Sequence, residues 1–338
     1  MKLISSIKNI TLSNNLASVS EANFVTVALD IFQYQYQHNQ VYRQYCQALH
    51  IYPATVNDIR NIPFLPIAFF KTQTIATTGF EPAIIFESSG TTQTINSKHL
   101  VKDIGLYEAS FNAAFRLFYG EPANWCIIAL LPSYLERNNS SLVMMANKLI
   151  EQSGHRQSGF YLNEPEKLHQ TLQQLENQQQ KTLLIGVTFA LLDFAEQYPI
   201  PLSYTTIMET GGMKGRREEI TRQEVHGILR HGFTVNKIHS EYGMTELLSQ
   251  AYSAGDGIFK CPPWMKVLVR EEDDPLSCLV ADKNNIVSGA LNVIDLANIY
   301  SCSFIATDDA AKLHPDESFE ILGRLDNADI RGCSLLSL

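Results

Sequence analysis

The chain has 338 residues, 45% hydrophobic and 18% charged, enough to bury a substantial core in one large domain or two smaller ones. Its 26 basic against 35 acidic residues give a net charge of −9, which argues against an extended nucleic-acid surface and leaves local basic clusters for smaller phosphate ligands. Met1 to Ile10 holds no sustained apolar run and no later run reaches membrane-spanning length, so neither a secretory signal nor a transmembrane segment is expected, and the cytoplasm is the expected location.

Glu21 to His50 carries Phe24, Val27, Ala28, Ile31, Phe32, Val41, Tyr45 and Leu49 at helical spacing without a proline, which predicts a helical amino-terminal region. Pro63 and Pro66 then break the pattern across Ile62 to Lys71, predicting an ordered packed loop. Ile84 to Phe86 reads as a strand, Lys102 to Tyr119 as a helix, Trp125 to Leu131 as a buried strand, and Ser141 to Ile150 as a helix. The Gln-rich stretch Gln173 to Gln180 reads as a polar helix face or linker. Strands are expected at Leu183 to Val187 and Thr206 to Thr210, a helix at Glu218 to His231, and a further strand at Phe233 to Ile238. This alternation implies an α/β fold of mostly parallel strands with crossover helices. Short strands at Met265 to Arg270, Gly289 to Ile294, Cys302 to Thr307 and Phe319 to Leu322 suggest a β-rich closing part. The expected organisation is therefore a helical region over 1–75, an α/β nucleotide-binding core over 76–260, a β-rich subdomain over 261–325 and a tail over 326–338.

Six cysteines, at 46, 126, 261, 278, 302 and 333, are scattered without a C-x-x-C pair or zinc-like Cys/His spacing, so reduced thiols are expected. The Asn139-Ser140-Ser141 sequon is read as chance, since no secretory route is expected. No G-x-S-x-G elbow, H-E-x-x-H pair or Walker P-loop is present.

Two loops concentrate chemistry. Ser240-Glu241-Tyr242-Gly243-Met244-Thr245-Glu246 places an aromatic ring, a turn, a hydroxyl and a carboxylate in one short segment after an expected strand, where open α/β sheets bind ligands. Glu87-Ser88-Ser89-Gly90-Thr91-Thr92 follows another expected strand and offers hydroxyls and turn-forming backbone suited to a polyphosphate. Read alone, a Ser/Thr/Gly run is ordinarily structural, Tyr242 is as consistent with core packing, and Asp308 with a turn residue.

Together the segments resemble the phosphate loop and Tyr-Gly-x-Thr-Glu motif of adenylate-forming ligases. Within that superfamily the chain resembles the LuxE-type acyl-protein synthetase family, known from the fatty-acid reductase system of bacterial luminescence. The resemblance rests on Pro63-Phe64-Leu65-Pro66, Ser88 to Thr92 with His99 downstream, Gly211 to Arg216, Glu241 to Leu247, Cys261-Pro262-Pro263-Trp264, Thr307-Asp308-Asp309 and Gly323-Arg324-Leu325-Asp326. It implies that Ser88, Ser89, Gly90, Thr91 and Thr92 hold the outer phosphates of ATP and that Gly211 and Gly212 line the adenine. It further implies that Tyr242 stacks on the base, with Gly243 turning the chain beside it, that Thr245 bonds the α-phosphate, and that Glu246 binds Mg²⁺. Asp308 would take the ribose hydroxyls with Arg324 beside them.

Gln93 stands where that phosphate loop commonly has glycine, and Lys98 is displaced from the usual lysine position. Larger ligases continue past the Arg324 segment into a mobile domain carrying a catalytic lysine; here that domain is expected to be absent, with Lys214, Arg217, Arg331 or a partner protein supplying the charge. The implied activity is ATP-dependent activation of a carboxylic acid, a fatty acid by resemblance, followed by acyl transfer to a thiol. That thiol is Cys333 near the carboxyl terminus, a carrier protein or coenzyme A. An acyl- or aryl-CoA ligase, or an adenylate-binding scaffold within a reductase or other biosynthetic complex, are the alternatives.

Overall fold

The computed structural model describes residues 16–88, 95–131, 139–211, 220–281 and 285–325. Helix α1 (Phe24–His38) buries Phe24, Val27, Ala28, Ile31 and Phe32 on one face, and Asn39 separates it from α2 (Gln40–Ala48) by accepting the amide of Tyr42 as a helix cap. Tyr42 and Tyr45 donate their hydroxyls to the carbonyls of Pro63 (2.7 Å) and Phe64 (3.0 Å). These bonds hold the proline-broken segment, whose β1 (Leu65–Pro66) leads into the short α3 (Phe69–Thr72). Strands β2 (Ile84–Glu87) and β3 (Lys98–Val101) form an antiparallel pair that shares no ladder with the main sheet.

The middle of the chain alternates helices and strands: α4 (Ile104–Tyr119), β4 (Cys126–Leu130), α5 (Ser141–Ser153), β5 (Gly159–Phe160), α6 (Pro165–Asn177), β6 (Thr182–Gly186), α7 (Thr188–Gln197), β7 (Thr205–Glu209), α8 (Arg222–Phe233) and β8 (His239–Tyr242). β4 and β6 are buried at every position, as expected of parallel strands covered on both faces. The order β5-β4-β6-β7-β8 is parallel throughout. Beyond β8 the same sheet continues antiparallel through β9 (Ala251–Ser253), β10 (Ile258–Lys260), β15 (Phe319–Arg324), β14 (Phe304–Leu313), β13 (Val287–Asp295), β11 (Met265–Arg270) and β12 (Cys278–Leu279). Among the described residues, with β1 joined in parallel to β14, the sheet has thirteen strands, and its two ends, β5 and β12, are two residues each. The fold is therefore mixed α/β, with the antiparallel part continuous with the parallel one. Among the described residues no helix is long and apolar enough to cross a membrane.

The strand expected over Phe233 to Ile238 is not formed. Phe233 is the last residue of α8, where it joins Val225 and Leu229 on the buried face, and Thr234 ends the helix in the left-handed conformation (φ 53°). The helix begins with a reciprocal capping box between Thr221 and Glu224. The strand starts at His239, so Ser240, Glu241 and Tyr242 belong to the strand itself and only Gly243 onward is loop.

The loop after β8 is fixed by a buried acid. Asp295, fully buried at the end of β13, accepts from Leu248 N (2.7 Å), Ser249 N (3.0 Å), Ser249 Oγ (2.6 Å) and Ala297 N (3.0 Å). Gln35 of α1 reaches the same region, donating to the carbonyls of Asn298 and Ile299, while its own carbonyl accepts the amide of Ser303. Asp295→Ala is expected to leave these buried donors unpaired and to lower the unfolding free energy by roughly 2–5 kcal/mol. Urea unfolding tests this, and a midpoint equal to the parent's counts against it.

Candidate nucleotide site at the ends of the parallel strands

β8 is short and buried, and its alternation sends Glu241 and Tyr242 to opposite faces. The Tyr242 ring packs edge-on against Phe259 (6.0 Å) and Phe319 (5.7 Å), and its hydroxyl donates to Asp309 Oδ2 (2.8 Å). Burial, reinforced by the neighbouring Asp309 charge, pushes the Tyr242 hydroxyl well above the usual phenol range, so it acts as a fixed donor. Asp309 is itself pushed up by burial, against the pull of Tyr242 and Arg324. Arg324, across the ladder from Asp309 and mostly exposed, places Nε 4.0 Å from Asp309 Oδ1.

The aspartate that joins Tyr242 and Arg324 is thus Asp309, and Asp308 lies elsewhere. Strand alternation puts Asp308 on the other face of β14, where its side chain is exposed and its charge acts on Arg270. Two adjacent acids in a strand were the available signal, and the strand's phase puts their side chains on opposite faces.

Beyond Gly243, Thr245 is half-buried and Glu246 is 5% exposed. Burial raises the Glu246 carboxyl, opposed by the Ser97 hydroxyl, its own backbone, and the charges of Arg324 and Lys71. Arg324 therefore acts on both Asp309 and Glu246. Ser88 reaches this neighbourhood through the β2–β3 pair, whose ladder it extends: Ser88 N donates to Ser97 O (3.1 Å) and Ser97 N donates to Ser88 Oγ (2.9 Å). An added Cβ on Gly243 would stand 2.3 Å from Glu241 Oε1, so a side chain there would require the Glu241 carboxyl to move.

On the β7 side, Gly211 adopts φ +73°, a conformation suited to glycine, and its amide donates to Glu209 Oε2 (2.7 Å). Glu209 also accepts from Thr188 Oγ1 (3.1 Å) and lies 3.9 Å from Arg222 Nε and 3.7 Å from His226 Nε2. Burial alone would raise this carboxyl, but His226, Arg222, Ser240 and the Gly211 amide together hold it down at about 2. Arg222 then stacks over Phe259 (5.0 Å), the ring beside Tyr242. The structure thus brings Gly211, Tyr242, Gly243, Thr245, Glu246 and Arg324 to one end of the parallel strands, with Ser88 on the adjoining hairpin. Ser89, Gly90, Thr91, Thr92, Gly212, Lys214 and Cys333 lie outside the described residues.

Glu241, on the opposite face of β8, pairs across the ladder with Tyr252 and stands near Tyr107 and Tyr119. Burial, with a further push from Glu209, raises its carboxyl to about 8. Between the ordinary carboxylate range and pH 8 the folded state therefore keeps a proton that the unfolded state has lost, so stability falls as pH rises through that window. Glu241→Gln is expected to remove this slope, so that the variant gains on the parent in Tm between pH 5 and 9. A constant difference over that range counts against the assignment.

The architecture is that of the large domain of adenylate-forming ligases. ATP-bound MatB from Rhodopseudomonas palustris superposes with a TM-score of 0.52 at 17% identity, over 73% of this chain and 49% of that one. The ATP-bound RpMatB-BxBclM chimera B3 gives 0.51 at 17% identity over the same shares. The chain spans about half the length of these solved structures. In sequence, the long-chain-fatty-acid–luciferin-component ligase of Aliivibrio fischeri is 24% identical over 332 residues, covering 90% of this chain and 85% of that protein. Residues 2–337 match the acyl-protein synthetase LuxE family, and the chain belongs to that family.

Proposed function

We propose that this chain activates a carboxylic acid with ATP and passes the acyl group to a thiol. The observation that carries this reading is the convergence of Tyr242, Asp309, Arg324, Thr245 and Glu246 at the carboxyl ends of the parallel strands, where α/β sheets bind nucleotides. Tyr242 and the Gly211 turn would flank the base, Asp309 would accept the ribose hydroxyls, and Thr245 would donate to the α-phosphate. A carboxylate oxygen of the acid then bonds the α-phosphorus, the bond from that phosphorus to the bridging oxygen breaks, and pyrophosphate leaves. A thiolate next attacks the acyl carbon and AMP departs. Splitting the acylation through an activated intermediate lowers each barrier.

Among the described residues no group of three or more His, Cys, Asp or Glu is placed to hold a metal by itself. Glu246 nevertheless suits Mg²⁺, which is commonly bound by one or two carboxylates together with phosphate oxygens and waters. When bound, the ion would neutralise charge on the phosphate oxygens. A fatty acid is the proposed substrate, supported by family membership and by the name of the Aliivibrio fischeri relative. Acid-dependent exchange of labelled pyrophosphate into ATP, run from acetate to long-chain fatty acids, tests the reading. No exchange with any acid would leave only an adenylate-binding or scaffold role.

Asp309→Ala is expected to raise the KM for ATP by roughly 10–100-fold with kcat nearly kept, since the ribose contact is made alike in ground and transition states. Asp308→Ala should match the parent. Equal effects of the two substitutions, or a loss confined to kcat, would count against Asp309 as the ribose ligand.

Cys333 is the proposed acceptor thiol. Burial raises the other five cysteines, Cys46 to about 12 and Cys126 to about 11, with Cys261, Cys278 and Cys302 shifted the same way, which makes them poor nucleophiles. Incubation with ATP and the active acid is expected to give a hydroxylamine-labile acyl adduct on Cys333 by peptide mass analysis. A Cys333→Ser variant that acylates as fully as the parent would transfer the role to a carrier protein or coenzyme A.

A further inference from the structure

Among the described residues the β2–β3 hairpin shares no ladder hydrogen bond with the thirteen-stranded sheet; Glu87 N ties it to the Asn139 carbonyl (3.0 Å), and side chains join it to the Thr245–Glu246 turn. His99, beside Ser97, is a side chain that bridges them. It is 1% exposed, and Nδ1 lies 2.8 Å from the Thr245 carbonyl oxygen. A carbonyl only accepts, so the contact is a hydrogen bond in the tautomer that carries its proton on Nδ1. On the opposite edge of the ring, Nε2 stands 3.0 Å from Asn298 Oδ1. The Asn298 amide is fixed in orientation, because Nδ2 donates to the carbonyls of Glu246 (2.8 Å) and Cys302 (2.9 Å). Its Oδ1 therefore also faces the ring as an acceptor.

Bonding both acceptors would need a doubly protonated ring. Burial pushes the imidazole down to about 4, against the pull of Thr245 and Asn298, so near neutral pH the ring has one N–H to give, and the shorter contact, 2.8 Å at Nδ1 against 3.0 Å at Nε2, assigns it to the Thr245 carbonyl. Phe70, edge-on at 6.0 Å, packs against the ring. Ser97, two residues earlier on the same face, is the hydroxyl that favours the ionised Glu246.

We propose that His99 is a positioning residue, which acts through the Thr245 carbonyl to set the Ser88 hairpin against the turn bearing Thr245 and Glu246. The inference rests on the reading of that turn as the phosphate and metal side of the site. Reacting groups held in line by such contacts lose about 100-fold when displaced by roughly 1 Å.

Asparagine places a donor near the imidazole Nδ1 and glutamine places one near Nε2, so the two substitutions separate the Thr245 bond from the Asn298 contact. In His99→Ala, kcat for acid-dependent pyrophosphate exchange is expected to fall roughly 10–100-fold, with the KM for the acid unchanged. His99→Asn should recover most of that loss and His99→Gln should not.

Amide hydrogen exchange without substrates supplies a readout independent of activity. His99→Ala should speed exchange both at Leu247, whose amide closes the turn on Met244 O, and along residues 98–101, and His99→Asn should restore both. Folded variants that exchange at parent rates in both segments, or an Asn variant no better than Ala in both measurements, overturn the proposal. A parent inactive with every acid would instead sink the ligase reading, leaving hydrogen exchange to decide whether His99 couples the two segments.

Discussion

A carboxylate removed from water must be given donors, and Asp295 is given four, three of them from Leu248 and Ser249. That demand fixes where the chain travels after β8. The Thr245–Glu246 turn is held immediately upstream of the clamped residues, and Asn298, three residues beyond Asp295, takes the carbonyl of Glu246. Ser249 passes the constraint on through Ser110 of α4, whose hydroxyl lies 3.1 Å from Ser249 Oγ and accepts the indole N–H of Trp264 (3.0 Å). Gln35 secures the far side of the 296–303 segment. One buried charge thus ties the amino-terminal helices, the antiparallel strands and the site turn into a single arrangement, as buried polar networks do when every member is satisfied.

The change from parallel to antiparallel pairing at β8 is what assembles the site. Parallel strand β7 ends at Glu209 opposite Ser240 and β8 runs on to Tyr242, while the antiparallel return brings β10, β14 and β15 alongside, so that Phe259, Phe319, Asp309 and Arg324 close around Tyr242. Arg222 bridges the two halves, meeting Glu209 on one side and Phe259 and the Ile321 carbonyl (3.3 Å) on the other. Neither half alone supplies the set.

Much of the parallel half was legible in the residues, because β4 and β6 are unbroken apolar runs and the intervening helices keep their period. The Tyr242 segment was legible because its chemistry is local. The phase of β14 was not, since a strand's alternation becomes an assignment only once its partners are known, and this separates Asp309 from Asp308. The misplaced strand at Phe233 to Ile238 has a similar cause: a helix end and a strand entry are both apolar, and Thr234 ends the helix without the glycine that usually marks such a stop. Asp295, Asn298 and His99 act across separations of 46 to 199 residues, and no local pattern announces such partnerships.

The two ends of the great sheet have a consequence of their own. A thirteen-stranded open sheet offers two rows of unpaired backbone groups, which ordinarily invite another chain to add itself. Here each terminal strand is two residues long, and Glu271, Glu272, Asp273 and Asp274 stand exposed just before β12. An incoming strand would find too few bonds to register upon and a like-charged border to cross if acidic itself. The breadth that assembles the candidate site is thereby given edges that offer little to an added strand.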